Sequence, residues 1–372
     1  MAGRSPLERQ ARETIAGEVL AHFTKAGFQH IAPDILQPAD IFLDRSGEEI
    51  RARSFVFTDP SGVELALRPD LTVPACRYHL THARKTDDEA RYCYWGPAFR
   101  FDPVSQKPSE FDQAGLEWFG ANDPQLAEAE IMALAIASIQ GAGVRDFRIR
   151  LGDLELFSSL IQSIPMPDRW RRRLSHQFWR PKAFQKLLQQ LTGQLKRERT
   201  GISPLIDELG NGDALSFVEA QLDKQKLALV GGRTIEEIAA RLSEKAKDRI
   251  ETPLPKQAAA RMDAYLAIKG PLHEAARAIA DMGLDVSRFN RRIELLEAKG
   301  VDLSKIDFSA VFGRSLEYYT GLVFEIEASG QQLAGGGRYD SLLQDIGAPM
   351  QVPALGLAVH IETLAQMAKG NS

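Results

Sequence analysis

The segment EFDQAGLEWFG, residues 110 to 120, carries the densest set of residues suited to chemistry. On a strand's period of two, Gln113, Gly115 and Glu117 share one face while Ala114, Leu116 and Trp118 share the other. A polar side chain on each side of a glycine, roughly 13 Å apart along the strand, makes a floor on which a small polar molecule can lie close to backbone. The same face would serve equally as a solvated strand surface. A second cluster, LALRPDLTVPACR, alternates Arg68, Asp70 and Thr72 with hydrophobes ahead of Arg77. The third, VFGRSLEYYTGLVFEI, sets Arg314, Tyr318 and Tyr319 before an apolar strand. A guanidinium clamps a carboxylate by two parallel hydrogen bonds, a carboxylate holds an ammonium, and a phenol donates to an imidazole nitrogen. Together these groups suit an amino acid; each cluster alone also suits an ordinary strand end.

Other chemistries find less support. AGGGRYD, residues 334 to 340, lacks the lysine and serine or threonine of a P-loop, so a tight turn or close backbone packing is expected. The seven histidines, His79 and His82 among them, do not combine with carboxylates or cysteines at ligand spacing, and no metal is expected. Nucleophilic triads and dinucleotide fingerprints are absent by motif, and no cofactor is expected. Arg169, Arg171, Arg172, Arg173, Arg180 and Lys182, interleaved with Trp170, Phe178 and Trp179, form either a basic aromatic surface for RNA or protein, or a solvated helix face over core aromatics. The second is the expectation.

The elements that must hold these groups are legible in part. Ser5 as N-cap, Pro6 in the first turn and Glu8 three residues past the cap make a capping box. Leu7, Ala11, Ile15, Val19 and Phe23 then recur at helical spacing until Gly27. Pro33 and Pro38 confine the next stretch to an edge, a bulge or irregular chain. Residues 54 to 120 read as β-rich, and 123 to 140 as a helix capped by Asp123 and stopped at Gly141. Phe147, Ile149 and Leu151 alternate with Arg148 and Arg150 as in a half-buried strand. From about 155 to 300 helical periodicity and charge dominate; strands return at 308 to 327 and near 352 to 359, with a Gly-rich turn between. The economical arrangement is an α+β fold in which one antiparallel sheet is interrupted by a helical insertion.

At 372 residues and 44% hydrophobic composition the chain has material for a full core and more than one average domain. A formal charge of −4 gives no global attraction to a polyanion. The N-terminus lacks the apolar segment of a signal peptide, no stretch is long and apolar enough to span a membrane, and Cys76 and Cys93 are too few for a disulfide framework. A cytoplasmic protein with no membrane association and two buried thiols is expected.

The same residues carry a family resemblance. RPDLT, GPAFRFDP followed by EFDQAGLEWFG, RSLEYYTGLVFE, AGGGRYDSL and PALGLAVHIETL resemble, in order, the core motifs of histidyl-tRNA synthetase, and the first helix with QHIAPDILQPADIF is similar to the dimer-forming first motif of class II synthetases. The resemblance implies an antiparallel sheet flanked by helices, the class II aminoacyl-tRNA synthetase catalytic-domain fold, formed by 1–155 and 300–372, with a largely helical insertion at 156–299, normally dimeric. It also implies roles. Asp70 stands where the family has glutamate. Asp70, Thr72, Gln113 and Glu117 fall where the amino acid is held, with Glu117 toward the α-ammonium. Arg314 matches the arginine beside the substrate carboxylate, Tyr318 and Tyr319 match the pair around the imidazole, and Arg100 matches the arginine for the α-phosphate of ATP.

The nucleotide half departs from the pattern. Ser109 stands ahead of Glu110–Phe111 where the family loop has an arginine, Thr363 replaces another arginine, and His360 replaces a glycine. Charge developing at a phosphate needs cations on several sides, so adenylation and any catalytic residue are not expected. No anticodon-binding domain is expected after residue 372. The combination resembles the regulatory subunits that accompany short-form ATP phosphoribosyltransferase, whose partner joins ATP to phosphoribosyl pyrophosphate in the first step of histidine biosynthesis. That resemblance implies the short-form catalytic subunit as partner, L-histidine as allosteric effector, and a homodimer inside a hetero-oligomer. The competing expectations are a truncated histidyl-tRNA synthetase or histidine-adenylating ligase, and an RNA-binding module; tRNA is not an expected partner.

Overall fold

The computed structural model describes residues 3–43, 53–101, 108–178, 180–195, 203–210, 212–225, 234–313 and 318–370. The opening helix, Pro6–Lys25, begins where its cap demands: the Glu8 amide donates to Ser5 Oγ at 3.3 Å and the Ser5 amide to Glu8 Oε2 at 2.8 Å. It buries Ile15, Ala16, Val19 and Phe23, and the chain leaves it through Gly27 at φ 89°. Helix Pro124–Gly141 is likewise capped by Asp123, which accepts from the Leu126 amide at 3.2 Å.

Twelve strands follow the chain: β1 (Gln29–His30), β2 (Leu36–Pro38), β3 (Phe55–Thr58), β4 (Glu64–Leu67), β5 (Ala90–Phe99), β6 (Glu110–Phe119), β7 (Arg148–Asp153), β8 (Lys269–Pro271), β9 (Ile306–Ser309), β10 (Leu322–Ala328), β11 (Gln331–Arg338) and β12 (Ala354–His360). Nine of them build one sheet in the order β1-β5-β6-β12-β11-β10-β7-β9-β8. β2, β4 and β3 form a second sheet in that order, which leaves Pro38 on an edge strand where its missing N–H breaks no ladder. The large sheet is mixed and not purely antiparallel: β1 runs parallel to β5 and β7 parallel to β9. Both parallel pairs are joined by long crossovers containing helix, as parallel strands require.

Register gives the two faces different characters. On one, Leu116, Leu357, Phe324 and Leu151 form a buried row, and helices Pro6–Lys25, Pro124–Gly141 and Ile361–Gly370 pack against the strands β5, β6, β12 and β11. On the other, small residues meet: Tyr94 pairs with Gly115, Gly115 with Ala358, Glu117 with Gly356, and Gly356 with Gly337. Helix Thr72–His82 covers this second face and shares a core cluster with Tyr94, Tyr318 and Tyr339 through Cys76.

Three local expectations are corrected. The stretch after Arg68 was expected as strand, yet Thr72–His82 is helical, with Pro74 in its first turn where proline fits. The Gly-rich run expected as a turn is the interior of β11, where the Tyr319 ring and neighbouring backbone take the volume that side chains would need. Residues 1–160 with 265–372 form one compact unit and 161–264 another. The sequence reads 156–299 as the insertion, since helical periodicity looks alike in either unit, whereas 156–160 and 265–299 belong to the first unit. Strand β8 joins the large sheet, and Arg292 of helix Ser287–Ala298 donates to Glu128 and Asp153, each at 2.7 Å. The second unit is helical and has its own core of Ile206, Leu209, Val218, Ala239 and Leu242.

Candidate functional site

Glu117 lies at the centre of the small-residue face and is fully buried. An isolated carboxylate there would be prohibitively desolvated, so its oxygens need donors. Tyr94 Oη donates to Oε1 at 2.7 Å, Tyr339 Oη donates to Oε2, and the Thr72 hydroxyl is a third partner. Burial nevertheless dominates and pushes the Glu117 carboxyl up to about 8, the hydroxyls opposing it and the nearby Asp70 adding to it. The group is thus a buried acid that a cationic ligand would ionise.

The backbone beneath is bare. A Cβ added at Gly115 would lie 2.6 Å from the Tyr94 hydroxyl, one at Gly356 would strike the Glu117 carboxylate, and one at Gly337 would lie 2.9 Å from the Tyr319 ring. These glycines are present because the side chains of the site occupy the volume above them.

The start of helix Thr72–His82 supplies the neighbouring wall. Asp70 is buried, accepts from the Val73 amide at 3.2 Å and has its carboxyl raised by burial, against the lowering effect of Arg100. Gln113 Oε1 accepts from the Leu71 amide at 3.2 Å, which fixes its side chain across that wall. Tyr318 and Tyr319 close the opposite side, with ring centroids 4.8 Å apart and Tyr318 edge-on to Tyr339 at 5.5 Å. Of the residues singled out in the sequence, Asp70, Thr72, Gln113, Glu117, Tyr318 and Tyr319 therefore gather around one spot; Arg314 lies outside the described residues. The expected alternative for the Gln113–Glu117 face, a solvated strand surface, is overturned: Gln113 is 4% exposed and Glu117 0%.

Toward the start of β6 the character changes. Arg100 donates from Nε to the Pro69 carbonyl at 2.7 Å and lies 5.3 Å from the Phe111 ring centroid. The His360 ring also packs against Phe111, with centroids 6.1 Å apart, and is cross-strand to Gln113. Glu362 accepts from the Asp112 amide at 2.8 Å and pairs with Arg4 and Arg12, tying this end to the first helix.

Sequence reading missed Tyr94 and Tyr339. Tyr339 lies inside a motif named for its glycines, and the alternation of Tyr92, Tyr94 and Gly96 was the only local sign that Tyr94 shares the face of Glu117. The arginine-rich segment resolves largely as helix face and core: Trp170 is buried with Leu174, and Arg169 and Arg173 pair with Asp248. Cys76 and Cys93 are buried, free thiols. Among the described residues no group of histidine, cysteine and carboxylate side chains is placed to hold a metal, and no helix is long and apolar enough to cross a membrane.

A sequence model of the histidyl-tRNA synthetase family matches residues 1–254 and 234–364. An ATP phosphoribosyltransferase regulatory subunit of Rhizobium rhizogenes is 34% identical over 364 residues, covering 94% of this chain and 96% of its own. One of the same name from Mesorhizobium japonicum is 36% identical over 368 residues, with the same coverage of 94% and 96%. Among solved structures, an ATP phosphoribosyltransferase regulatory subunit/histidyl-tRNA synthetase from Bacillus halodurans superposes with a TM-score of 0.69 at 20% identity, over 99% of this chain and 82% of that one, which bears on the fold alone. With its fold and near full-length relatives in agreement, the chain belongs to the family of ATP phosphoribosyltransferase regulatory subunits, built on a histidyl-tRNA synthetase-like, class II synthetase core.

Proposed function

We propose that this chain is a non-catalytic subunit that works with a short-form ATP phosphoribosyltransferase catalytic subunit at the first step of histidine biosynthesis, and that L-histidine bound beside Glu117 turns the assembly down. The observation that carries the reading is the asymmetry of the site. Its amino-acid end is a buried acid ringed by hydroxyls over bare backbone, complementary to an ammonium group and to a small polar ring. In this reading Glu117 takes the α-ammonium, Asp70, Thr72 and Gln113 line its wall, Tyr318 and Tyr319 flank the imidazole, and Arg314 takes the carboxylate.

Its other end is poor in what a reacting triphosphate needs. Arg100 remains, but Ser109 and Thr363 stand where the synthetase pattern has cations, and the His360 imidazole fills space beside Phe111 that a glycine would leave open. Inhibition requires histidine to prefer one state of the assembly, most simply an inactive arrangement of a homodimer joined to catalytic subunits.

Mixing the purified chain with the short-form transferase is expected to raise phosphoribosyl transfer, and added histidine to lower it. Glu117→Ala and Tyr319→Ala should abolish the inhibition while leaving the complex intact by light scattering. Unaltered histidine affinity in both variants by calorimetry would show that the ligand sits elsewhere. The retained Arg100 favours a second reading, a histidine-adenylating enzyme, and histidine-dependent pyrophosphate exchange by the chain alone at an ordinary enzymic rate would establish it in place of the first.

A further inference from the structure

The charge of the chain is unevenly divided. The helical unit 161–264 carries 19 Lys and Arg against 13 Asp and Glu, whereas the remainder carries 27 against 37. A modest overall net charge therefore hides a basic module on an acidic body.

Within that module one helix carries four of the arginines, Arg169, Arg171, Arg172 and Arg173. Helix Asp168–Gln177 turns Trp170 and Leu174 into the core and presents Arg169, Arg172, Arg173 and His176 along the opposite side, at the spacing of successive turns. These four line a groove of about 430 Å3 whose other walls come from helices Pro181–Leu191 and Ile235–Ile250, with Lys186 and the single carboxylate of Glu244. The guanidiniums are held in place from behind. Asp248, 8% exposed, receives Arg169 Nε at 2.8 Å, Trp170 Nε1 at 2.5 Å and Arg173 Nη1 at 2.5 Å, and Arg169 also reaches Glu251 at 2.6 Å. Arg172 pairs with Glu244 at 2.5 Å yet is 70% exposed. Each arginine has five N–H donors, so these contacts fix the forks without using all their donors. The local field is positive as well: Lys245 has its pKa lowered, first by burial and then by repulsion from Arg241 and Arg173.

We propose that this groove binds a phosphorylated small molecule carrying two or more linked phosphates. Arginines in fixed, fork-like presentation match phosphate oxygens bidentately, and Lys186 supplies a point charge opposite them. A volume of about 430 Å3 lies in the range of small-ligand pockets. The groove is confined to three helices of one unit, whereas a nucleic-acid strand needs an extended basic track with stacking platforms; of the aromatics singled out there, Trp170 and Phe178 are buried, and Trp179 lies outside the described residues. Leu187 offers an apolar wall for whatever the phosphates are attached to.

The test is calorimetric titration of inorganic tripolyphosphate into the full-length chain and into the double variant Arg172→Gln/Lys186→Gln. Both side chains lie on the groove wall and neither is in the core, and unchanged circular dichroism would show that the variant folds. Saturable binding near one equivalent per chain is expected, weakened about tenfold or more in the variant, a change of roughly 1.4 kcal/mol. No saturable heat, or equal affinity in chain and variant, would overturn the proposal. An RNA hairpin that displaces tripolyphosphate at lower concentration than ATP does would also overturn it, by assigning the groove to RNA.

Discussion

Replacing Glu117 by glutamine separates the stability of the site from its ligand chemistry. The carboxyl is pushed from an ordinary 4.5 up to about 8 in the fold, chiefly by burial. Because the folded value is raised, the native state holds a proton that the unfolded chain releases, so stability is greatest at low pH and falls as pH rises between the two values. At about 1.4 kcal/mol per pH unit the full loss is on the order of 4 to 5 kcal/mol, and the part falling between pH 6 and pH 8 is about 2 kcal/mol. Glutamine keeps the shape, accepts from one tyrosine hydroxyl and donates to the other, and has no charge to desolvate. Urea unfolding of both chains at pH 6 and 8 is the assay. The stability difference, variant minus parent, should rise by about 2 kcal/mol over that interval, while titrations distant from the site and common to both chains largely cancel. Parallel stability profiles would mean that Glu117 is charged in the native state throughout, and the account of a proton-holding acid awaiting a cation would be wrong.

Other perturbations follow from the same contacts. Arg292→Met leaves Asp153 buried without its cation and Glu128 with only the more distant Arg338, at 3.7 Å, and should cost about 3–5 kcal/mol by chemical denaturation, with partial recovery on adding Glu128→Gln; an unaffected midpoint would contradict the network. Gly115→Ala places a methyl against the Tyr94 hydroxyl and the Leu357 carbonyl, and is expected to lower Tm and to weaken histidine binding at least tenfold, as read by scanning calorimetry and titration. Tyr94→Phe removes one of the donors that favour the ionised form of Glu117; it should cost about 0.5–1.5 kcal/mol where the acid is protonated and extend the fall in stability to higher pH.

What the sequence disclosed was whatever is decided locally. The capping box at Ser5, the Asp123 cap and the alternation of Phe147 to Leu151 are each set by residues within a few positions of one another, and the elements stand where those signals put them. The Gln113–Gly115–Glu117 face was visible for the same reason. Its burial was not, because a covered face and a wet one share a period of two, and only helix Thr72–His82 on top distinguishes them. Tyr94 and Tyr339 escaped because their role depends on register: β5 brings Tyr94 opposite Gly115, and β11 delivers Tyr339 from more than 200 positions away in the chain. The limits of the helical insertion were hidden by the same logic, since Arg292 declares its unit through contacts with Glu128 and Asp153 and not through its neighbours.

On the proposed reading, strand geometry also explains how such a site loses one half and keeps the other. Along β12, Gly356, Ala358 and His360 are cross-strand to Glu117, Gly115 and Gln113, so each step of two residues moves roughly 7 Å along the floor. Glu117 and Phe111 are six residues apart on β6, roughly 20 Å of extended chain. Changes at the Phe111 end, such as a histidine at 360 or a threonine at 363, therefore fall well along the strand from the Tyr94–Glu117–Tyr339 cluster, and well-separated sites perturb one another little. A sheet that binds along its length can thus be edited at one end without loss of grip at the other. On this argument, restoring cations at Ser109 and Thr363 should raise ATP affinity without changing affinity for histidine, and a histidine affinity that moves in step would show that the two ends are coupled after all.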